Sequence, residues 1–103
     1  MRRGATLIDI RAESQIAADG VVVEALVIPR NVLEWRLDPA SGQRHPQAPG
    51  LEDQVIVMCN EGYASSFAAV TLQELGFAAA TDLDGGFQAW RAAGLPTAAA
   101  GEA

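Results

Sequence analysis

The sequence predicts an α/β fold: three layers, with a central, mostly parallel sheet and helices on both faces. Two observations predict it. Short apolar runs rich in β-branched residues alternate along the chain with stretches of helical spacing. Glycine and proline punctuate nearly every change from one to the other.

Ala5 to Ile10 is a buried-strand pattern behind Gly4. Ala12 to Asp19 reads as a short helix, with Glu13 in its first turn and Gly20 as its stop. Val21 to Ile28 is a second apolar stretch ended by Pro29, of which only Ala25 to Ile28 need be strand. Asn31 is a candidate cap for a brief helix over Val32 to Leu37, on which Leu33 and Leu37 share a face. From Asp38 to Gln54 no periodicity survives, and prolines and glycines mark a long surface loop.

Val55 to Met58 is a compact strand with Cys59 directly after it. Cys59 to Ala64 reads as a tight loop, and Ser65 opens a helix that stops at Gly76. Ala64, Phe67, Ala68, Thr71, Leu72 and Leu75 fall on one stripe of that helix. Ala79 to Leu83 is the next strand. Gly85-Gly86 breaks the chain before a last helix, Phe87 to Ala93, ended by Gly94 and Pro96. The reading is one domain over residues 1–97 and a flexible tail over 98–103.

The bulk numbers exclude several functions. The chain has 103 residues, half of them apolar, and a net charge of −6. All seven basic residues are arginines, and they are scattered, which argues against nucleic acid and anionic membrane. A single cysteine allows neither an internal disulfide nor a cysteine-based zinc site. A soluble, cytoplasmic setting and a monomer or weak homodimer are the simplest expectations.

Cys59 is the chemical candidate. Parallel sheets bind ligands at the carboxyl ends of their strands. A helix start nearby offers unpaired N–H groups and partial positive charge, which lower a thiol pKa. Gly62 permits the curl that aims more N–H groups at the sulfur. Such a nest suits a cysteine alternating between thiolate and persulfide. The bland alternative is an inert core thiol; the glycine-containing turn and prompt helix start exceed what burial requires.

Three segments carry a family resemblance over nearly the whole chain: Leu7-Ile8-Asp9-Ile10-Arg11, the run from Val57 to Ser66 (VMCNEGYASS), and Gly85-Gly86-Phe87-Gln88-Ala89-Trp90 followed by Gly94-Leu95-Pro96. In that order they resemble the single-domain rhodanese family of sulfurtransferases. The resemblance implies that Cys59 takes sulfane sulfur from thiosulfate, or from a small-molecule or protein persulfide, and passes it to a thiol or to cyanide. It implies that Asn60, Glu61, Gly62, Tyr63, Ala64 and Ser65 form the binding loop, and that no metal or organic cofactor takes part.

The chain also departs from the family pattern. Many members carry a basic residue in this loop, whereas here Glu61 puts a negative charge there. That disfavours dianionic thiosulfate as donor. The family's histidine-isoleucine-proline-glycine-like turn is replaced by Val21-Val22-Val23-Glu24.

Other residues take supporting roles. Asp9 sits in an apolar strand and needs a partner, for which Arg11 is the candidate. Trp35 and Arg36 are candidates for the pocket rim. Against that stand core packing for Trp35 and a surface pairing of Arg36 with Asp38 or Glu34, and the balance favours these. His45 is expected in solvent, and Ser65 is expected to cap the helix. Three competing functions remain weaker, one of them a redox switch through a Cys59 sulfenic acid, which with no second cysteine in the chain needs glutathione or another protein to resolve it. A phosphatase on the same scaffold would want an arginine after Cys59, and none occurs up to Ala69. A non-catalytic binding module has no need of the thiol.

Overall fold

A computed structural model describes residues 5–99. Its elements are β1 (Ala5–Asp9), α1 (Glu13–Asp19), β2 (Leu26–Val27), a 3₁₀ turn (Arg30–Val32), α2 (Leu33–Leu37), β3 (Gln54–Met58), α3 (Tyr63–Glu74), β4 (Ala80–Asp82) and α4 (Gly86–Ala92). The sheet order is β2-β1-β3-β4, and every pairing is parallel. The predicted α/β class is thus the observed one.

Strand side chains alternate between two cores, as a two-residue period requires. Ile8, Val55 and Val57 face one layer with Leu33 and Leu37 of α2, Ala68 and Leu72 of α3, and Phe77. Leu7 and Met58 face the other with Phe87 of α4 and Val22. Burial of each of the larger of these side chains contributes roughly 1.5–3 kcal/mol. Both faces of the strands are therefore covered, which explains why their sequences are near-continuous apolar runs.

Several local expectations are corrected. The second strand shrinks to Leu26–Val27. Asn31 caps nothing with its side chain; it lies inside the 3₁₀ turn. The long loop is tied down by turns: the His45 N–H donates to Arg36 O at 2.8 Å, Arg44 donates to Pro49 O, and Ala48 packs on the core.

The helix expected from Ser65 begins at Tyr63, with Gly62 as its N-cap. Its inward stripe is Ser65, Ala68, Ala69 and Leu72, so Phe67 turns outward, 57% exposed. Ala98, expected in a fraying tail, exchanges two backbone hydrogen bonds with Val21, at 2.7 and 2.9 Å. The rest of the expected tail beyond Ala99, like the N-terminal arginines, lies outside the described residues.

Candidate functional site

Cys59 follows the last residue of β3 at the carboxyl end of the sheet. It is 7% exposed and forms part of the wall of a cavity of about 220 Å³. The Gly62 N–H donates to Sγ at 3.0 Å, and the Ser65 N–H donates at 3.4 Å. The thiol and the Ser65 hydroxyl hydrogen-bond at 3.3 Å, and once the sulfur is a thiolate the hydroxyl becomes the donor. Burial pushes the thiol pKa up. The Ser65 hydroxyl and the Ser65, Gly62 and Glu61 N–H groups outweigh that and hold it below the ordinary value.

The loop is aimed by α4. The Phe87 N–H donates to Cys59 O at 2.8 Å, and the Gln88 N–H donates to Asn60 O at 3.0 Å. In a trans peptide the carbonyl and the next N–H point in opposite directions. Anchoring Asn60 O on α4 therefore turns the Glu61 N–H the other way, toward Sγ. Gln88 Nε2 also donates to Asn60 Oδ1 at 3.0 Å and to Asp19 of α1 at 3.1 Å.

Two glycines make this approach possible. Gly62 has φ +95°, a left-handed angle that side chains disfavour. Gly86 has φ +62°, and a Cβ there would lie 2.5 Å from Cys59 O and 2.8 Å from Gly62 N.

Asp9 and Arg11 brace the same end of the sheet, both side chains fully buried. Arg11 Nε reaches Asp9 Oδ1 at 3.0 Å, and Nη2 reaches Asp9 Oδ2 at 2.7 Å and Gly20 O at 2.8 Å. Its guanidinium carbon lies 3.8 Å from the centre of the Phe87 ring. Nη1 is buried without a hydrogen-bond partner among the described residues.

The cavity walls are Ile10, Arg11, Gln15, Arg30, Cys59, Asn60, Glu61, Tyr63 and Ala64. Cys59 to Ala64 thus line it in sequence apart from Gly62, which faces Sγ through its N–H. Ser65 corrects its expected capping role, since its hydroxyl serves the sulfur instead.

Trp35 and Arg36 are not among the walls, which removes them as rim candidates. Trp35 is 51% exposed rather than packed on the core, and Arg36 donates to Gln43 O at 2.9 Å. His45 Nδ1 accepts from the Gln47 N–H within the long loop. Sequence reasoning missed Arg30 and Gln15. Arg30 lies just past the carboxyl end of β2, two strands from Cys59 in the sheet order, a placement that only the strand pairing reveals.

A buried thiol ringed by backbone N–H groups thus stands at the carboxyl end of a parallel sheet, where α/β folds bind their ligands. The chain belongs to the rhodanese-like domain family, whose model matches residues 1–93. It is 30% identical over 93 residues to a sulfurtransferase of Allochromatium vinosum, covering 90% of this chain and 78% of that one. It is 33% identical over 89 residues to the thiosulfate sulfurtransferase GlpE of Pseudomonas fluorescens, covering 86% and 72%.

Among solved structures, a human single-domain sulfurtransferase superposes with a TM-score of 0.73 at 29% identity, over 86% of this chain and 82% of that one. A Rhodopseudomonas palustris protein, described as of unknown function and a possible tyrosine phosphatase, superposes at 0.84 with 32% identity. That match covers 93% of this chain and 72% of the other.

Proposed function

We propose that the chain is a rhodanese-type sulfurtransferase in which Cys59 carries sulfur as a persulfide. The observation that carries this is the convergence of backbone N–H groups and one hydroxyl on Sγ. The Cys59 thiolate attacks the outer sulfur of a donor, a new S–S bond forms, and the donor's S–S bond breaks. From thiosulfate the leaving group is sulfite. From a protonated persulfide it is a thiolate, which takes up the proton of the transferred sulfur. The resulting Cys59–S–S⁻ anion sits in the same nest, because amide donors hold either anion without a fixed countercharge. Attack on the outer sulfur by a thiol or cyanide returns Cys59 to the thiolate.

Glu61 on the cavity wall works against a dianion, so a persulfide is the better donor and thiosulfate the poorer one. Persulfide chemistry at a free thiol suits a reducing, cytoplasmic setting and requires no cofactor. No described helix is long and apolar enough to cross a membrane. From Asn60 to Ala69 no arginine is present to hold a phosphate, so the phosphatase description stays with the R. palustris neighbour.

Intact mass after incubation with a persulfide donor tests the proposal. The expected result is one added sulfur atom, absent in Cys59→Ser, with slower addition from thiosulfate. Unchanged mass with every donor overturns it.

A further inference from the structure

The cavity in front of Cys59 carries charge of both signs. On one wall stands Arg30, at the start of the 3₁₀ turn after β2. Its Nη1 is held by Glu34 at 2.8 Å, and its side chain is 40% exposed. An arginine has five N–H donors in a planar fork, so this one contact leaves most of the fork for an occupant. On another wall stands Glu61, exposed, whose N–H faces the sulfur and whose carboxylate has no hydrogen bond or ion pair among the described residues. Arg11 also lines the cavity, but its charge is met by the buried carboxylate of Asp9. Gln15 and Asn60 are neutral polar walls, and Gln15 is fixed by accepting from the Ala12 N–H at 3.1 Å. The volume, about 220 Å³, lies below the roughly 300 Å³ at which pockets for drug-sized ligands begin.

We infer that this pocket selects a small zwitterionic persulfide, an α-amino acid carrying both an ammonium and a carboxylate beside its sulfur. Arg30 receives the carboxylate and Glu61 the ammonium. The inference rests on the proposed persulfide chemistry at Cys59 and names its donor class. A dianion meets Arg30 favourably and Glu61 unfavourably. A zwitterion satisfies both, and its charges replace the water that each wall group would otherwise keep.

The donor enters as R–S–SH. Cys59 Sγ bonds to the terminal sulfur, the S–S bond of the donor breaks, and its electron pair and the proton leave together as the amino-acid thiol R–SH. No oxidant or reductant is consumed.

Three donors that differ only in their charged groups test it: the persulfides of cysteine, of 3-mercaptopropionate (carboxylate alone) and of cysteamine (ammonium alone). Loading of Cys59 is followed by quenched intact mass in single turnover, as rate against donor concentration. Cysteine persulfide is expected to load about fivefold more efficiently than either single-charge donor, the worth of one partly exposed ion pair. Arg30→Gln should depress loading by the two carboxylate-bearing donors more than loading by cysteamine persulfide. Glu61→Gln should depress the two ammonium-bearing donors more than the 3-mercaptopropionate persulfide. Equal efficiency for all three donors on the unaltered protein overturns the inference while leaving sulfur transfer intact. Absence of added sulfur from all three overturns the sulfur-carrier function itself, and the inference with it.

Discussion

The floor and the mouth of the Cys59 pocket are built from different materials. The floor is backbone: N–H groups of Glu61, Gly62 and Ser65, fixed because α4 holds the loop's carbonyls and glycine lets the chains meet. The mouth is side chain: Arg30, Glu61, Gln15 and Tyr63, the last 77% exposed. Amide dipoles locked into hydrogen-bonded structure need no reorganisation when an anion forms and carry no net charge for salt to screen. Charged side chains in water are flexible, screened and worth little each. On the proposed function, the sulfur chemistry rests on the locked amides and the choice of donor on the exposed side chains.

Removing the brace under the floor should have the largest effect on stability. Asp9→Ala leaves the Arg11 guanidinium buried without its carboxylate, at a cost of about 3–5 kcal/mol. A urea melt will read this as a large fall in midpoint. A midpoint near that of the unaltered protein would mean that the floor does not depend on the pair.

Gly86→Ala comes next. Its φ of +62° and the 2.5 Å approach to Cys59 O force the loop and α4 apart. The left-handed angle alone costs roughly 1–2 kcal/mol for a residue with a side chain. Loading of Cys59 should fall more than stability does, since the N–H groups lose their aim.

Ser65→Ala is milder, because it removes one donor and leaves the amides. The pH midpoint of iodoacetamide alkylation at Cys59 should rise, and the rate at neutral pH should drop. The sign extends to stability. With the folded-state pKa depressed, ionised Cys59 adds stability as pH rises through that value, and the gain is complete above the unfolded thiol value. The stability difference between the unaltered protein and Cys59→Ser should therefore widen toward alkaline pH and narrow on acidification.

The mouth should give the smallest and most salt-sensitive effect. Glu61→Lys is expected to lower KM for thiosulfate a few-fold at low ionic strength, and the gain should shrink as salt is added. A salt-independent gain would place Glu61 in the floor rather than the mouth.

Much of this architecture was legible in the residues. Val55-Ile56-Val57-Met58 could hardly be other than a strand covered on both faces, and Cys59 at its end marked the site. The Asp9–Arg11 pairing followed from a carboxylate in an apolar strand. Arg30 was not legible, because its place on the pocket wall depends on β2 lying next to β1, a long-range pairing that no local pattern encodes. Arg36 drew attention for its charge alone, yet the fold turns it toward Gln43 O. The helix start was misplaced by two residues because Ser65 is a good cap by type, whereas Gly62 takes that position and frees the Ser65 hydroxyl for sulfur.

The amino-acid order alone determined the layer pattern, the parallel class and the identity of the sulfur, because hydrophobic period and glycine placement act over a few residues. Only the folded chain decided which way the peptide groups beside Cys59 point and which charges share its cavity. Those depend on α4 meeting the loop and on the sheet order, contacts between residues far apart in sequence whose geometry is set by packing.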